Sequence, residues 1–173
     1  MLKNIKLAYL RYLMSLSLLS ACLMPLYAIG GEFMGMLKKE LAYPFSGFSG
    51  QLLFNGEPAA NAKITRVYEL ESKKELQKDE VVADQQGRFS FDAITVQYRT
   101  PVLGAFEFLS HQDVIVEYKG EEYQIWGGGK FNKDEYAEFG GKPNNFRCEL
   151  TEDIRRVEIE KGVYGTNCHW DID

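Results

Sequence analysis

Between Gly50 and Phe91 no apolar run goes far before turn chemistry interrupts it. Asn55-Gly56, Pro58 and Gln86-Gly87 fall among the short runs Leu52-Leu53-Phe54, Ala62 to Ile64 and Phe89 to Phe91. Asn-Gly readily takes the two positive φ angles of a tight hairpin, and proline has no N–H to give to a sheet ladder. A chain punctuated this way has little room for a helix that carries a face. The predicted fold class is therefore all-β, a small antiparallel β-sandwich. Aromatic residues make up 13% of the chain, which suits a thin core filled from two sheets.

Ten short strands are expected. They lie at about 48–54, 62–70, 80–83, 89–96, 105–109, 114–119, 122–126, 145–151, 155–160 and 166–170, separated by turn residues. The charged piece from Glu71 to Lys78 is too short to carry a helical face and reads as a protruding hairpin loop. The pattern Gly50-x5-Gly56-x-Pro58-x3-Ala62-x-Ile64, followed by Asp84-x2-Gly87-x-Phe89, resembles the carboxypeptidase regulatory-like and prealbumin-like β-sandwich domains. The resemblance covers about Phe48 to Tyr123. It implies a prealbumin-like or immunoglobulin-like sandwich. Such domains serve as supports, stalks, transport modules and ligand carriers, so fold analogy says little about activity.

The first 31 residues read as an export signal or membrane anchor. Lys3, Lys6 and Arg11 precede an uncharged run from Tyr12 to Gly31. A positive flank followed by an apolar run is the order of such segments, and it leaves the rest of the chain outside the cytoplasm. Three fates are open. Leu19-Ser20-Ala21-Cys22 resembles the lipobox of bacterial lipoproteins, with Cys22 the residue acylated. The run is also just long enough to stay in a bilayer as an uncleaved helix. Ordinary cleavage after Ala28 is the third. Residues 32–47 read as a connector, and 48–173 as the sandwich. The expected location is the cell envelope or periplasm of a Gram-negative bacterium, with a tether through the N-terminus.

Charge separates along the chain. The 173 residues carry 20 basic and 25 acidic side chains; five of the basic ones and two of the acids precede Tyr43, leaving 15 against 23 after it. So acidic a body is repelled by phosphate backbones, which argues against nucleic acid and is easier to match with a basic protein partner. The same acids also serve simply to keep an exported domain soluble.

Cys22 falls in the signal, so Cys148 and Cys168 remain as an even pair in an oxidising compartment. Period-two alternation puts Phe146, Cys148 and Leu150 on one strand face, and Cys168, Trp170 and Ile172 on another. A disulfide between them is expected, with two free buried thiols as the alternative.

Chemistry-bearing constellations are sparse. His111 and His169 sit in no recognised nucleophile signature, and Ser110 beside His111 is adjacency without geometry. Cys168-His169-Trp170-Asp171 holds metal-ligand types, but Cys168 is better used in the disulfide. Gly127-Gly128-Gly129-Lys130 lacks the spacing of a phosphate-binding loop, and Phe131 stands where Ser or Thr is required. Neither a cofactor nor a metal is expected, and the chain reads as non-enzymatic. The segment Gly127 to Asn144 reads as a long glycine-rich loop carrying aromatics among charges. Lys130, Phe131, Tyr136 and Phe139 are its candidate binding residues. A fold-back of these aromatics over one end of the core is the competing expectation. The functional expectation is an envelope-tethered β-sandwich that binds another macromolecule or supports envelope structure. Alternatives are a periplasmic immunity protein against an antibacterial toxin, and a carrier of a small ligand or glycan.

Overall fold

The structure is a computed structural model that describes residues 39–99 and 108–173. Residues 40–98 and 108–173 belong to one compact unit. The N-terminal segment with Cys22, and most of the expected strand at 105–109, lie outside the described residues. Among the described residues no helix is long and apolar enough to cross a membrane.

The described residues are all-β, and their sheets pack as a sandwich. Thirteen strands are described: β1 (Lys39–Phe45), β2 (Phe48–Phe54), β3 (Glu57–Pro58), β4 (Lys63–Leu70), β5 (Glu75–Val82), β6 (Arg88–Phe91), β7 (Ile94–Arg99), β8 (Ser110–Tyr118), β9 (Glu121–Lys130), β10 (Pro143–Glu149), β11 (Arg155–Ile159), β12 (Gly162–Thr166) and β13 (Cys168–Ile172). One sheet runs β13-β10-β2-β3, with β6 also on β2; the other runs β11-β12-β9-β8-β4-β5; β1 and β7 make a two-stranded ribbon. The ladders of the two larger sheets are antiparallel except where β10 lies parallel to β2.

Alternation builds the core. Phe48 and Leu52 of β2, Phe89 and Phe91 of β6, and Phe146 and Cys148 of β10 point inward from the first sheet. Ile64 of β4, Val114 and Val116 of β8, and Tyr164 of β12 meet them from the second. The Asn55-Gly56 turn has φ of 54° and 79°, and Lys119-Gly120 has 52° and 83°. Two positive angles in succession give the twist that a two-residue hairpin needs.

The expected strand at 89–96 is instead two strands in different sheets, β6 and β7, and β12 lies where no strand is expected. Three further differences bear on the site. The connector holds β1, whose Phe45 is part of the core, so the folded unit begins before residue 48. The supposed hairpin loop at Glu71 to Lys78 is a tight turn followed by β5, paired with β4 from Leu70↔Glu75 to Lys63↔Val82. The glycine run does not open a loop: Gly127 to Lys130 is the end of β9, paired with β8 and β12. Glycine is a poor strand former in isolation. Here close packing explains it, because a Cβ on Gly128 would run into Tyr164 at 2.6 Å.

Candidate functional site

The phase of β9 decides where its last residue points. Val114 pairs with Trp126 but Ile115 pairs with Gln124, so Ile125 is an extra residue, a β-bulge. A bulge shifts the inside–outside phase of every residue beyond it. Ile125 and Trp126 are accordingly both buried, Gly127 and Gly129 turn outward, and Lys130 turns into the interior.

Lys130 has no exposed surface, and its Nζ donates to Glu138 Oε2 at 2.6 Å and to Ser46 Oγ at 3.3 Å. Glu138, also fully buried, accepts from Ser46 N at 2.7 Å, Ser46 Oγ at 2.9 Å and Gln112 Nε2 at 3.4 Å. Gln112 Nε2 also donates to Pro44 O, and its Oε1 accepts from Trp126 Nε1 at 3.2 Å. Ser46 O accepts from Arg66 Nη1 at 3.2 Å, while Arg66 forks onto Asp79 at 2.9 and 2.6 Å. The Arg66 guanidinium also lies 4.5 Å from the ring centre of Phe91. Burial pushes the Lys130 ammonium below the ordinary lysine pKa, against the pull of the Glu138 carboxylate. A buried pair survives in this form only when its remaining donors and acceptors are also satisfied. Every buried side-chain nitrogen and oxygen of this network has at least one partner, and the network ties the corner at Pro44–Ser46 to β4, β8, β9 and the segment after β9.

That segment folds back on the sandwich. Phe139 is 1% exposed, with its ring 5.1 Å from Trp126, 5.4 Å from Phe48 and 5.8 Å from Phe146. Trp170 Nε1 donates to the Phe139 carbonyl at 3.0 Å. Tyr136 is half-buried against the core, and its N–H donates to Ser46 Oγ at 2.7 Å. Its φ of 63° is left-handed, a conformation that costs an L-residue about 1–2 kcal/mol. Phe131 alone among the four candidate binding residues keeps substantial surface, at 39% exposure. The structure thus brings Lys130, Tyr136 and Phe139 together around Ser46 and the core. The missed members, Ser46, Glu138 and Gln112, carry no local signal, since their burial follows from the bulge and the fold-back.

Cys148 and Cys168 pair directly across β10 and β13, with Cα atoms 4.0 Å apart, and form a disulfide in the core. Glu149 beside it clasps the first hairpin: its carboxylate accepts from Asn55 N and Gly56 N at 2.9 Å each, and from Thr151 Oγ1 at 2.6 Å. Partial burial raises its pKa, but the bonds from Thr151, Gly56 and Asn55 outweigh that and hold it below the ordinary glutamate value. Burial likewise drives the Tyr164 phenol far up. His111 and His169 are exposed, lying 3.9 Å from Glu71 and 3.3 Å from Glu152 respectively. No group of three or more His, Cys, Asp or Glu residues is arranged to hold a metal among the described residues.

Two shallow clefts open on the surface around β2. One of about 450 Å³ lies between Gly47–Ser49 and the start of β10, and one of about 490 Å³ lies over Gly50 between β6 and β10. A Cβ on Gly50 would press on the Phe146 carbonyl at 2.8 Å, so glycine is what lets β2 pass this point.

A disulfide-stapled all-β sandwich, closed at one end by its own aromatic segment, is the class of protein that these features define. Residues 48–153 match the family described as a domain of unknown function, DUF6795, and because the match spans more than half of the chain, the chain belongs to that family. The matched region contains Cys148 but stops short of its partner Cys168 on β13. No curated protein and no solved structure matches the chain.

Proposed function

We propose that this chain is a non-enzymatic, envelope-tethered β-sandwich that binds another macromolecule or supports envelope structure. The observation that carries the reading is the Cys148–Cys168 bridge. Structural disulfides persist in oxidising compartments, which agrees with the signal-like order of residues 1–31. Open clefts suit a macromolecular surface better than a small molecule, which prefers a site that encloses most of it. Burial of Glu138 and Phe139 weighs against the segment after β9 as the contact surface. Gly56 and Gly87 take the positive φ that the carboxypeptidase regulatory-like pattern needs, at 79° and 71°, and Ala62, Ile64 and Phe89 are buried. These placements support kinship with that group at the level of fold.

The tether is proposed to be a lipid on Cys22. Intact-mass analysis of the membrane fraction should show a mature chain starting at acylated Cys22, and Cys22→Ser should accumulate a longer precursor. A wild-type chain that begins at Met1 or Ile29 removes the lipid. Recovery in the cytosol with both body cysteines reduced removes the envelope reading altogether.

A further inference from the structure

Arg88 and Arg147 stand in one row with Gln51 across the first sheet. Gln51 pairs with Arg88 in the β2–β6 ladder and with Arg147 in the β10–β2 ladder. Their neighbours Phe89, Phe146 and Cys148 point inward, so alternation sends both arginines out from the same face, where both are exposed. Strands in a sheet lie about 4.8 Å apart, which separates the two arginine Cα atoms by roughly 10 Å with β2 between them.

Neither guanidinium has a hydrogen-bond or ion-pair partner among the described residues. Other arginines of the unit do. Arg66 holds Asp79, Arg155 donates to the carbonyls of Thr166 and Cys168, and Arg156 holds Glu158. Two unpaired arginines side by side are unusual in a body where acids outnumber bases by 23 to 15 from Tyr43 onward.

The cleft of about 490 Å³ lies between these arginines, and no acidic residue lines it. It shares Ser49 and Asn145 with the neighbouring cleft, so the two adjoin as a trough that runs from Gly47 along β2 to Gln51. Five residues of strand span roughly 13 Å at about 3.3 Å per step, the length of a short extended segment rather than of a single anion. Lys142 lines the far end together with Asp92 and Glu135, so the positive character belongs to the Gln51 end.

We propose that this trough binds an extended acidic segment of a protein partner, with its carboxylates gripped by Arg88 and Arg147. Arginine offers a planar fork that takes a carboxylate through two parallel hydrogen bonds. Ser49, whose hydroxyl is hydrogen-bonded to Ser90, and Asn145, one of whose amide hydrogens goes to Asp171, line the floor between the two arginines. The acid surplus elsewhere on the domain repels such a segment from other faces, so the trough sets its position as well as holding it. The overall charge favours a basic partner, and this row is the local exception. The assignment rests on reading the chain as a macromolecule-binding module.

The test is fluorescence anisotropy of a labelled oligoglutamate peptide titrated with the full chain in detergent. Saturable binding that weakens as salt rises is expected, with no comparable binding of oligolysine. Arg88→Gln and Arg147→Gln should each weaken it by about tenfold, as loss of a charge-assisted hydrogen bond does. The double variant should abolish it at an unchanged melting temperature. Absence of binding, or equal binding by the double variant, overturns the assignment. Equally effective competition by polygalacturonate or inorganic phosphate overturns it in favour of a glycan or a simple anion. Capture of an envelope partner that survives in the double variant leaves the general function standing and removes this site alone.

Discussion

Lys130 and Glu138 show how strongly one side chain can depend on another. Each is a charge with no exposed surface, and each is hydrogen-bonded inside the sandwich. Lys130→Met leaves the Glu138 carboxylate buried and unpaired, and it should cost about 3–5 kcal/mol in urea unfolding. Adding Glu138→Gln removes the orphaned charge, so the double variant should be more stable than the sum of the singles requires. Additive losses would mean that the two residues act independently. Glu149 makes a pH statement. Its pKa is lowered in the folded protein, so its contribution is fully present above the unfolded glutamate value. That contribution is lost as pH falls through the lower, folded value. Glu149→Gln should therefore flatten the loss of stability on the acid side of pH 4.5 relative to wild type. Parallel curves for the two proteins would remove Glu149 from the acid response.

Among the elements, the turns are not equivalent although their glycines look alike in sequence. Gly56 and Gly87 both have positive φ, at 79° and 71°. A Cβ at Gly56 would meet nothing, whereas one at Gly87 would collide with the Leu52 carbonyl. Gly56→Ala should thus cost about 1–2 kcal/mol, the left-handed penalty alone. Gly87→Ala should cost clearly more, since the collision with backbone adds to the same penalty. Thermal melts of the pair check this, and equal losses would contradict the packing at Gly87. Strand β9 is governed by register instead. Its bulge at Ile125 reverses the phase of everything after it, and with it the fate of Lys130.

Across the folded unit, the disulfide joins β10, inside the family match, to β13, outside it. The residues it links are 20 apart, a loop for which the chain-entropy model gives about 3 kcal/mol of stabilisation. Cys148→Ala and Cys168→Ala should each lose close to that amount, and the double variant little more, because one bond is broken in all three. Two labelled thiols in the unfolded, unreduced wild type would show that the bridge does not form in the cell. Aromatic rings from both sheets and from the segment after β9 share one cluster around Phe48, Phe139 and Trp126. The sandwich is closed at that end by its own chain.

Turn chemistry and period-two alternation act over a few residues. For that reason the all-β class, the hairpin turn at Asn55-Gly56 and the inward cysteines are legible in the chain alone, whereas the turn at Gln86-Gly87 joins strands of different sheets, β5 and β6, rather than a hairpin. The rest depends on which strands meet. A bulge is a statement about register between two strands, so nothing within Gly127-Gly128-Gly129-Lys130 announces that Lys130 faces inward. The burial of Glu138 depends on Ser46, 92 residues away. The row Arg88, Gln51, Arg147 exists only because β2 pairs antiparallel on one side and parallel on the other. Contacts this distant in sequence are set by which strands become neighbours, and local propensity does not encode that choice.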